Sequence, residues 1–341
     1  MNASFFLKNK SILITGVCGT IGTELIKQLS SKNVKEIIGI DNNESELFFI
    51  DQQYKNDDRV RFVLCDIKDK SQLIRIFKGV DVILHTAARK HVIINEISPS
   101  EAIQTNIIGT QNIIEAALEN NVNRVIFTSS DKAVNPTNVM GTSKLMGERL
   151  MTAANASTRG QFPIFSSTRF GNVLGSNGSV IPIFRKQIEN GQNITLTSSE
   201  MSRFVMTVED ACKLVLDSVE LAKGGEVFVT KMPVIRIEDL AKAMIQLYKG
   251  KGVDNKTQIE IIGAKAGEKM YEELINDEEV RRTLEIGDFF TVIPAFQGIF
   301  ADIDYNYANS QTKVSKVYRS DQEEAMSVSE LIEYLTIKKL V

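Results

Sequence analysis

The sequence predicts an α/β fold built on a doubly wound parallel sheet, with a smaller α/β lobe interleaved with it. Three observations lead there. Short β-branched apolar runs alternate with helical patterns through the first half of the chain, several runs are apolar at every position, and a glycine turn after the first run leads directly into a helix. Alternation of strand and helix patterns is the rhythm of βαβ units. Strands covered by helices on both faces read as continuous apolar runs.

The strand runs are SILITG, EIIGID, VRFVLCD, VDVILHTAA, RVIFTSS and FSSTRFGNV; a helix begins at Thr20, and a polar stretch follows EIIGID. Beyond about Gly178 the rhythm loosens into SVIPIFRKQIENG, the strand-like NITLTSSE, an amphipathic helix over Val208 to Ala222, EVFVTK, a helix near Glu238, and IEIIGA. The expected division is 1–178 with 207–232 as the larger domain, and 179–206 with 233–341 as the smaller lobe and a C-terminal arm. The arm ends in the helical pattern SVSELIEYLTIKKL, able to pack across the body or onto a neighbour.

A chain of 341 residues with 43% hydrophobic content can bury a sizeable core. Its formal net charge of −3, with both signs spread along the chain, gives no footprint for nucleic acid or a membrane surface. No stretch approaches the roughly 20 apolar residues of a spanning helix, and the start has no secretory signal, so a cytoplasmic protein acting on a small molecule is expected. Cys18, Cys65 and Cys212 lack metal-ligand spacing and read as core hydrophobes, and His85 and His91 build no metal site between them. His85, inside an apolar run, reads as a satisfied core residue.

After the first strand come Gly16, Gly19 and Gly22, with Thr20 and Ile21 between the last two. Glycine permits the tight turn and a close backbone approach to a pyrophosphate, while the helix N-terminus offers N–H groups and a positive dipole end. Asp41 closes the second strand nineteen residues beyond Gly22, where a carboxylate can take ribose hydroxyls. The pattern is that of a Rossmann-type dinucleotide site; the bland alternative is a structural turn. A carboxylate there repels a 2′-phosphate and Asn42 and Asn43 follow it, so NAD is expected over NADP. Asp66, with Ile67, and the pair Ala87–Ala88 lie at the ends of the third and fourth strands, beside the expected cofactor, or cap the segments that follow.

The fifth strand ends in Thr128-Ser129-Ser130-Asp131-Lys132, and the next helix pattern carries Met140 and Lys144 on one face. An acid and an amine beside two hydroxyls at a strand's carboxyl end lie where open α/β sheets hold ligands. From spacing alone a cap for Asp131 and solvated charges for Lys132 and Lys144 are equally good readings.

The stretch SSDKAVNPTNVMGTSKLMGE resembles the active-site segment of the nucleotide-activated N-acetylglucosamine 4,6-dehydratases, extended short-chain dehydrogenase/reductases of bacterial surface-sugar synthesis. Further likenesses lie at AARKHVIINE, QTNIIGTQN, STRFGNVLGSNGSVIPIF, MSRFVM and GAKAGEKMYEEL. The resemblance implies a redox-neutral lyase. NAD oxidises sugar C4, the C5 proton becomes acidic, water leaves from C6, and the hydrogen taken from C4 returns to C6. It implies Asp131 as the acid, Lys132 as the base, and Lys144 on the nicotinamide ribose, with Ser129 and Asn106 also at the cofactor. A lysine base needs its pKa drawn down by burial or nearby positive charge, for which Lys144 is the candidate. The superfamily usually places tyrosine four residues before this lysine; here it is Met140, whose thioether cannot titrate. Ser130 or Ser129 is then the candidate for receiving the C4 hydroxyl proton.

Arg169, Asn172, Ser179, Arg203 and Glu268 fall in segments like the family's substrate loops, and arginine suits a diphosphate. Arg169 can equally lock the two lobes together, Arg203 form a surface ion pair, and Asn172 and Ser179 close turns. Lys90 and Glu96 can contact the sugar or be a solvated pair. The resemblance leaves UDP-N-acetylglucosamine favoured and the GDP sugar possible, and implies a homo-oligomer paired through the helices after the fourth and fifth strands. An epimerase or reductase on the same fold, and a non-catalytic NAD-binding regulator, are the alternatives.

Overall fold

The computed structural model describes residues 6–158, 162–176, 178–250, 257–263, 267–296, 303–307 and 312–341. Parts of STRFGNVLGSNGSVIPIF and GAKAGEKMYEEL therefore lie outside the described residues. The six expected strand runs form β1 (Ser11–Thr15), β2 (Glu36–Asp41), β3 (Val60–Leu64), β4 (Val82–His85), β5 (Arg124–Ser130) and β6 (Ile164–Phe170). They are followed by β7 (Asn172–Val173), β8 (Ile194–Leu196), β9 (Ser202–Met206), β10 (Val227–Thr230), β11 (Val234–Arg236), β12 (Ile259–Ile261) and β13 (Glu273–Ile275). Last come β14 (Thr283–Ile286), β15 (Phe289–Val292), β16 (Thr312–Lys313) and β17 (Tyr318–Arg319).

The main sheet runs β16-β14-β15-β10-β6-β5-β4-β1-β2-β3, parallel from β3 through β10. The chain winds outward from β1 to β3, then crosses back to β4 and winds the other way, so the topological switch lies between β1 and β4. Alternate residues explain the continuous apolar runs. Ile12, Ile14, Val82, Leu84 and Ile126 face one core, and Leu13, Ile83, Val125 and Phe127 face the other. Helices Thr20–Ser30 and Val208–Leu221 cover the first face; Lys70–Ile76, Gly109–Glu119 and Val139–Ser157 cover the second.

Two differences from the sequence reading have local causes. The polar stretch after EIIGID is a helix, Glu44–Tyr54, because Asn43 accepts the Glu46 N–H at its N-cap and only Leu47 and Ile50 need burial. The hairpin β14–β15 lies within the stretch 233–341 expected in the smaller lobe, yet extends the main sheet. β15 pairs antiparallel with β10, and Phe290 and Val292 pack into the core behind it.

The smaller lobe has its own core, made by helices Val180–Glu189 and Ile237–Gly250 with Leu196, Val205 and Ile235. The C-terminal helix Val328–Ile337 packs across this lobe through Leu331 and Leu335, both fully buried, and a capping box between Ser327 and Glu330 starts it. Leu335→Ala should therefore cost about 2–5 kcal/mol, read as a lowered midpoint in chemical denaturation. An unchanged midpoint would show that the arm is not part of the lobe's core.

Candidate active site

A cleft of about 790 Å³ opens at the carboxyl ends of β1, β2, β4, β5 and β6. At its floor Gly16 has φ +70, and a Cβ there would lie 2.7 Å from the Ala87 Cα, so only glycine lets the first turn rest against the segment after β4. A Cβ on Gly22 would come within 2.6 Å of the Val17 Cα, so this glycine packs turn against helix and does not line the cleft. Gly19 is the N-cap of Thr20–Ser30 and no side chain caps that helix, which leaves its first-turn N–H groups for a ligand. Gly19, Thr20 and Ile21 line the cleft.

Asp41 stands across from this turn, its carboxylate accepting the Cys18 N–H at 3.0 Å and the Asn43 N–H at 3.0 Å. Asn42 donates to Asp66 at 3.3 Å. Burial raises the Asp66 carboxyl, but the Lys68 N–H, Asn42 and the Lys68 charge outweigh it and hold it below the usual range. Ile67, Ala87, Ala88, Lys90 and Ser129 complete this wall. Burial alone pulls the Lys90 ammonium down from its ordinary value. Ser129 Oγ is buried with no hydrogen-bond partner among the described residues. Cys18 departs from expectation: it is half-buried at the cleft wall, whereas Cys65 and Cys212 are core residues. Burial and the Asp41 charge push its thiol up to about 12, so it stays protonated. Asn106 lies behind the wall, where its side chain accepts from the Arg89 N–H and donates to the Arg89 carbonyl and Ser143 Oγ, fixing the segment that carries Lys90.

The chemical groups gather at the end of β5. Ser130 Oγ donates to Asp131 Oδ1 at 2.6 Å, and Lys132 Nζ reaches Asp131 Oδ2 at 3.0 Å. Asp131 is 3% exposed, while the Lys132 side chain is 30% exposed toward the cleft. Burial raises the Asp131 carboxyl, yet the Lys132 charge and the hydrogen bonds with Glu272 and Ser130 hold it below its ordinary value. Burial lowers Lys132, but Asp131 and Glu272 outweigh that and raise it. The resting pair is a carboxylate and an ammonium. The expected lowering of Lys132 by Lys144 does not occur, because Lys144 Nζ donates to the Thr128 carbonyl at 2.8 Å and Lys132 is flanked by carboxylates. Lys144 itself, drawn down by burial against the opposing charge of Glu148, falls to about 8. Met140 sits one turn before it on Val139–Ser157, 4% exposed and lining the cleft.

Glu272 was not among the residues singled out from sequence, although GAKAGEKMYEEL contains it. It is 4% exposed, its Oε1 lies 3.6 Å from Lys132 Nζ, and burial with the Asp131 charge raises it to about 7.

Of the residues expected at the substrate, Asn172 lines the cleft and gives its amide to Glu272 at 2.7 Å. Lys90, also expected there, lines the same cleft, while the remaining expected contacts lie elsewhere. Arg169 is 1% exposed in β6, paired with Glu148 and Glu279 at 2.7 Å each, so its guanidinium is engaged by buried carboxylates and is not open to a diphosphate. Arg203 is tied to the Lys269 carbonyl at 2.9 Å and to Glu272 at 3.3 Å, and Glu268 lies 3.9 Å from it. Glu96 accepts the Val139 N–H at 2.6 Å and so caps the helix bearing Met140. Ser179 is the N-cap of Val180–Glu189. His85 is the satisfied core residue expected, held between Thr15 and Thr110 at 2.7 and 3.1 Å and driven by burial and the Lys144 charge down to about 3.

A family of polysaccharide biosynthesis proteins matches residues 12–294. The chain belongs to this family. It is 46% identical over 85% of its length to a Methanocaldococcus jannaschii protein described as an uncharacterized membrane protein, covering 88% of it. It is 37% identical to the UDP-N-acetylglucosamine 4,6-dehydratase (inverting) of Campylobacter jejuni, with 90% of each chain covered. The solved structure of Pen from Bacillus thuringiensis, 37% identical, superposes with a TM-score of 0.90 over 99% of this chain and all of that one. By contrast, this family member spans 46% of the Staphylococcus aureus capsular polysaccharide biosynthesis protein CapD, to which it is 42% identical over 80% of its own length. No helix among the described residues is long and apolar enough to cross a membrane.

Arg169→Met would leave Glu148 and Glu279 buried without their cation. It should cost about 3–5 kcal/mol of stability in chemical denaturation. Unchanged stability with weakened substrate binding would instead return Arg169 to the diphosphate.

Proposed function

We propose that this chain catalyses the NAD-dependent 4,6-dehydration of a nucleotide-activated N-acetylglucosamine, UDP-linked in preference to GDP-linked, in cytoplasmic surface-polysaccharide synthesis. The observation that carries the reading is the Asp131–Lys132 pair, 3.0 Å apart, facing the same cleft as a glycine turn fit for a dinucleotide. The similarity to the Campylobacter dehydratase supports it.

The cofactor's pyrophosphate belongs at Gly16, Gly19 and the N–H groups of Thr20 and Ile21, its adenosine ribose at Asp41, and its nicotinamide end near Ser129 and Lys144. Asp41 keeps a 2′-phosphate out by charge repulsion. When bound, the dinucleotide supplies a reversible two-electron acceptor for sugar C4, which is what makes the C5 proton acidic.

The protein's part is proton transfer. Moving one proton across the 3.0 Å from Lys132 Nζ to Asp131 converts the resting ion pair into a neutral amine and a carboxylic acid. Lys132 then removes the C5 proton while Asp131 protonates the C6 hydroxyl, which leaves as water. The ammonium formed at Lys132 and the carboxylate at Asp131 restore the resting pair. Ser130, hydrogen-bonded to Asp131, takes the position through which the C4 hydroxyl proton passes to the cleft solvent, since Met140 cannot receive it, and one solvent proton is taken up again as C5 is reprotonated. Asn172 and Lys90 contact the sugar. A homo-oligomer is supported by Ile93, Ile94 and Ile97, exposed by 60%, 61% and 77% on the helix after β4, with Met146 exposed by 45% on Val139–Ser157.

Incubation with UDP-N-acetylglucosamine, and separately the GDP form, should show loss of one water by mass spectrometry without net NADH release. Unchanged mass with an inverted C4 would identify an epimerase. Lys132→Ala should abolish dehydration with NAD still bound; normal turnover in that variant removes the assigned base.

A further inference from the structure

The Asp131–Lys132 pair has a third partner. The Glu272 carboxylate accepts from Asn172 Nδ2 at 2.8 and 2.7 Å and from the Phe204 N–H at 3.1 Å. Arg203 Nε lies 3.3 Å and Lys132 Nζ 3.6 Å from the same group. Its backbone N–H is also engaged, donating to Ser320 Oγ at 2.9 Å. A carboxylate this buried needs donors on every side, and these come from β7, β9 and the turn after β5.

Two of its partners face the cleft. Lys132 lies between two carboxylates, Asp131 at 3.0 Å and Glu272 at 3.6 Å, and Asn172 turns its amide inward to Glu272 from the cleft wall. We propose that Glu272 is a positioning residue for dehydration, its negative charge holding the Lys132 ammonium beside Asp131 and its oxygens holding Asn172 at the sugar. The proposal rests on the dehydratase reading.

The charged groups facing Glu272 are Asp131 and Lys132 from the turn after β5, Arg203 from β9, and Lys269 from its own segment, with Glu268 on the far side against Arg203. Burial first and the Asp131 charge second raise its carboxyl to about 7. As pH falls through that value Glu272 takes up a proton and its hold on Lys132 weakens, so kcat should fall.

The test measures kcat, KM and their pH dependence for wild type, Glu272→Gln and Glu272→Asp. Glu272→Gln should lower kcat on the order of a hundredfold, the scale of a small misplacement of a reacting group, with KM within about threefold and no inflection near neutrality. Glu272→Asp keeps the charge and should restore the inflection, which settles the matter if the glutamine variant fails to fold. A kcat within about twofold of wild type, or one reduced only with the folded fraction and keeping its inflection, overturns the proposal. An infrared carboxylic-acid band that titrates near neutrality in the wild type and is missing in Glu272→Gln tests the proton site without substrate. Absence of that band together with a kcat unchanged in Glu272→Gln overturns the proposal. A wild type that dehydrates nothing but shows the band overturns only the dehydratase reading.

Discussion

The buried guanidinium of Arg169 is the constraint on which the arrangement of the cleft depends. A cation at 1% exposure is tolerable only with its charge and donors met, and here Glu148, Glu279 and the Leu274 carbonyl meet them. These partners belong to different parts of the chain. Arg169 is in β6, Glu148 is one turn beyond Lys144 on Val139–Ser157, and Leu274 and Glu279 close the segment that begins at Glu272. One ion cluster thus fixes the helix of Met140 and Lys144, the strand beside Asp131, and the segment of Glu272 relative to one another. Breaking it leaves uncompensated buried charge, so the three move together or not at all.

Within that frame two lysines of one cleft carry opposite shifts. Lys144 is buried against the Phe127 ring with a carbonyl as acceptor and a single carboxylate nearby, and its proton is loosened. Lys132 has a carboxylate on each side, and its proton is held. The pair Asp131–Lys132 therefore stores one proton as an ion pair and keeps the same proton count when converted to acid and base. A reaction that abstracts one proton and donates another, as elimination of water does, needs that economy.

The parts of this site that were legible in the sequence are those made by neighbours in the chain. The glycine turn, Asp41 at the end of β2, and the Ser130-Asp131-Lys132 run with Met140 and Lys144 on the next helix all depend on short spacing, and all line the cleft except Gly22. What was not legible depends on long separations. Arg169 meets Glu279 across 110 positions and Asn172 meets Glu272 across 100. No local pattern distinguishes Glu272 from Glu268 four residues earlier; only the fold buries the first beside Asp131 and leaves the second at the surface. Arg169 shows the same problem in reverse, since an arginine at a strand end reads as a phosphate ligand until its two carboxylates are in view. The β14–β15 hairpin falls in the stretch expected in the smaller lobe, because the sheet it joins is set by the long-range pairing of β15 with β10.

The measurement closest to the central claim uses a nucleotide-linked N-acetylglucosamine carrying deuterium at C4, incubated with the enzyme in ordinary water, with the label located in the product by NMR. Oxidation at C4 and elimination within one closed cleft predict a 4-keto-6-deoxy product with the deuterium at C6. A product whose C6 carries only solvent hydrogen, or a sugar that keeps its deuterium at C4, contradicts the account.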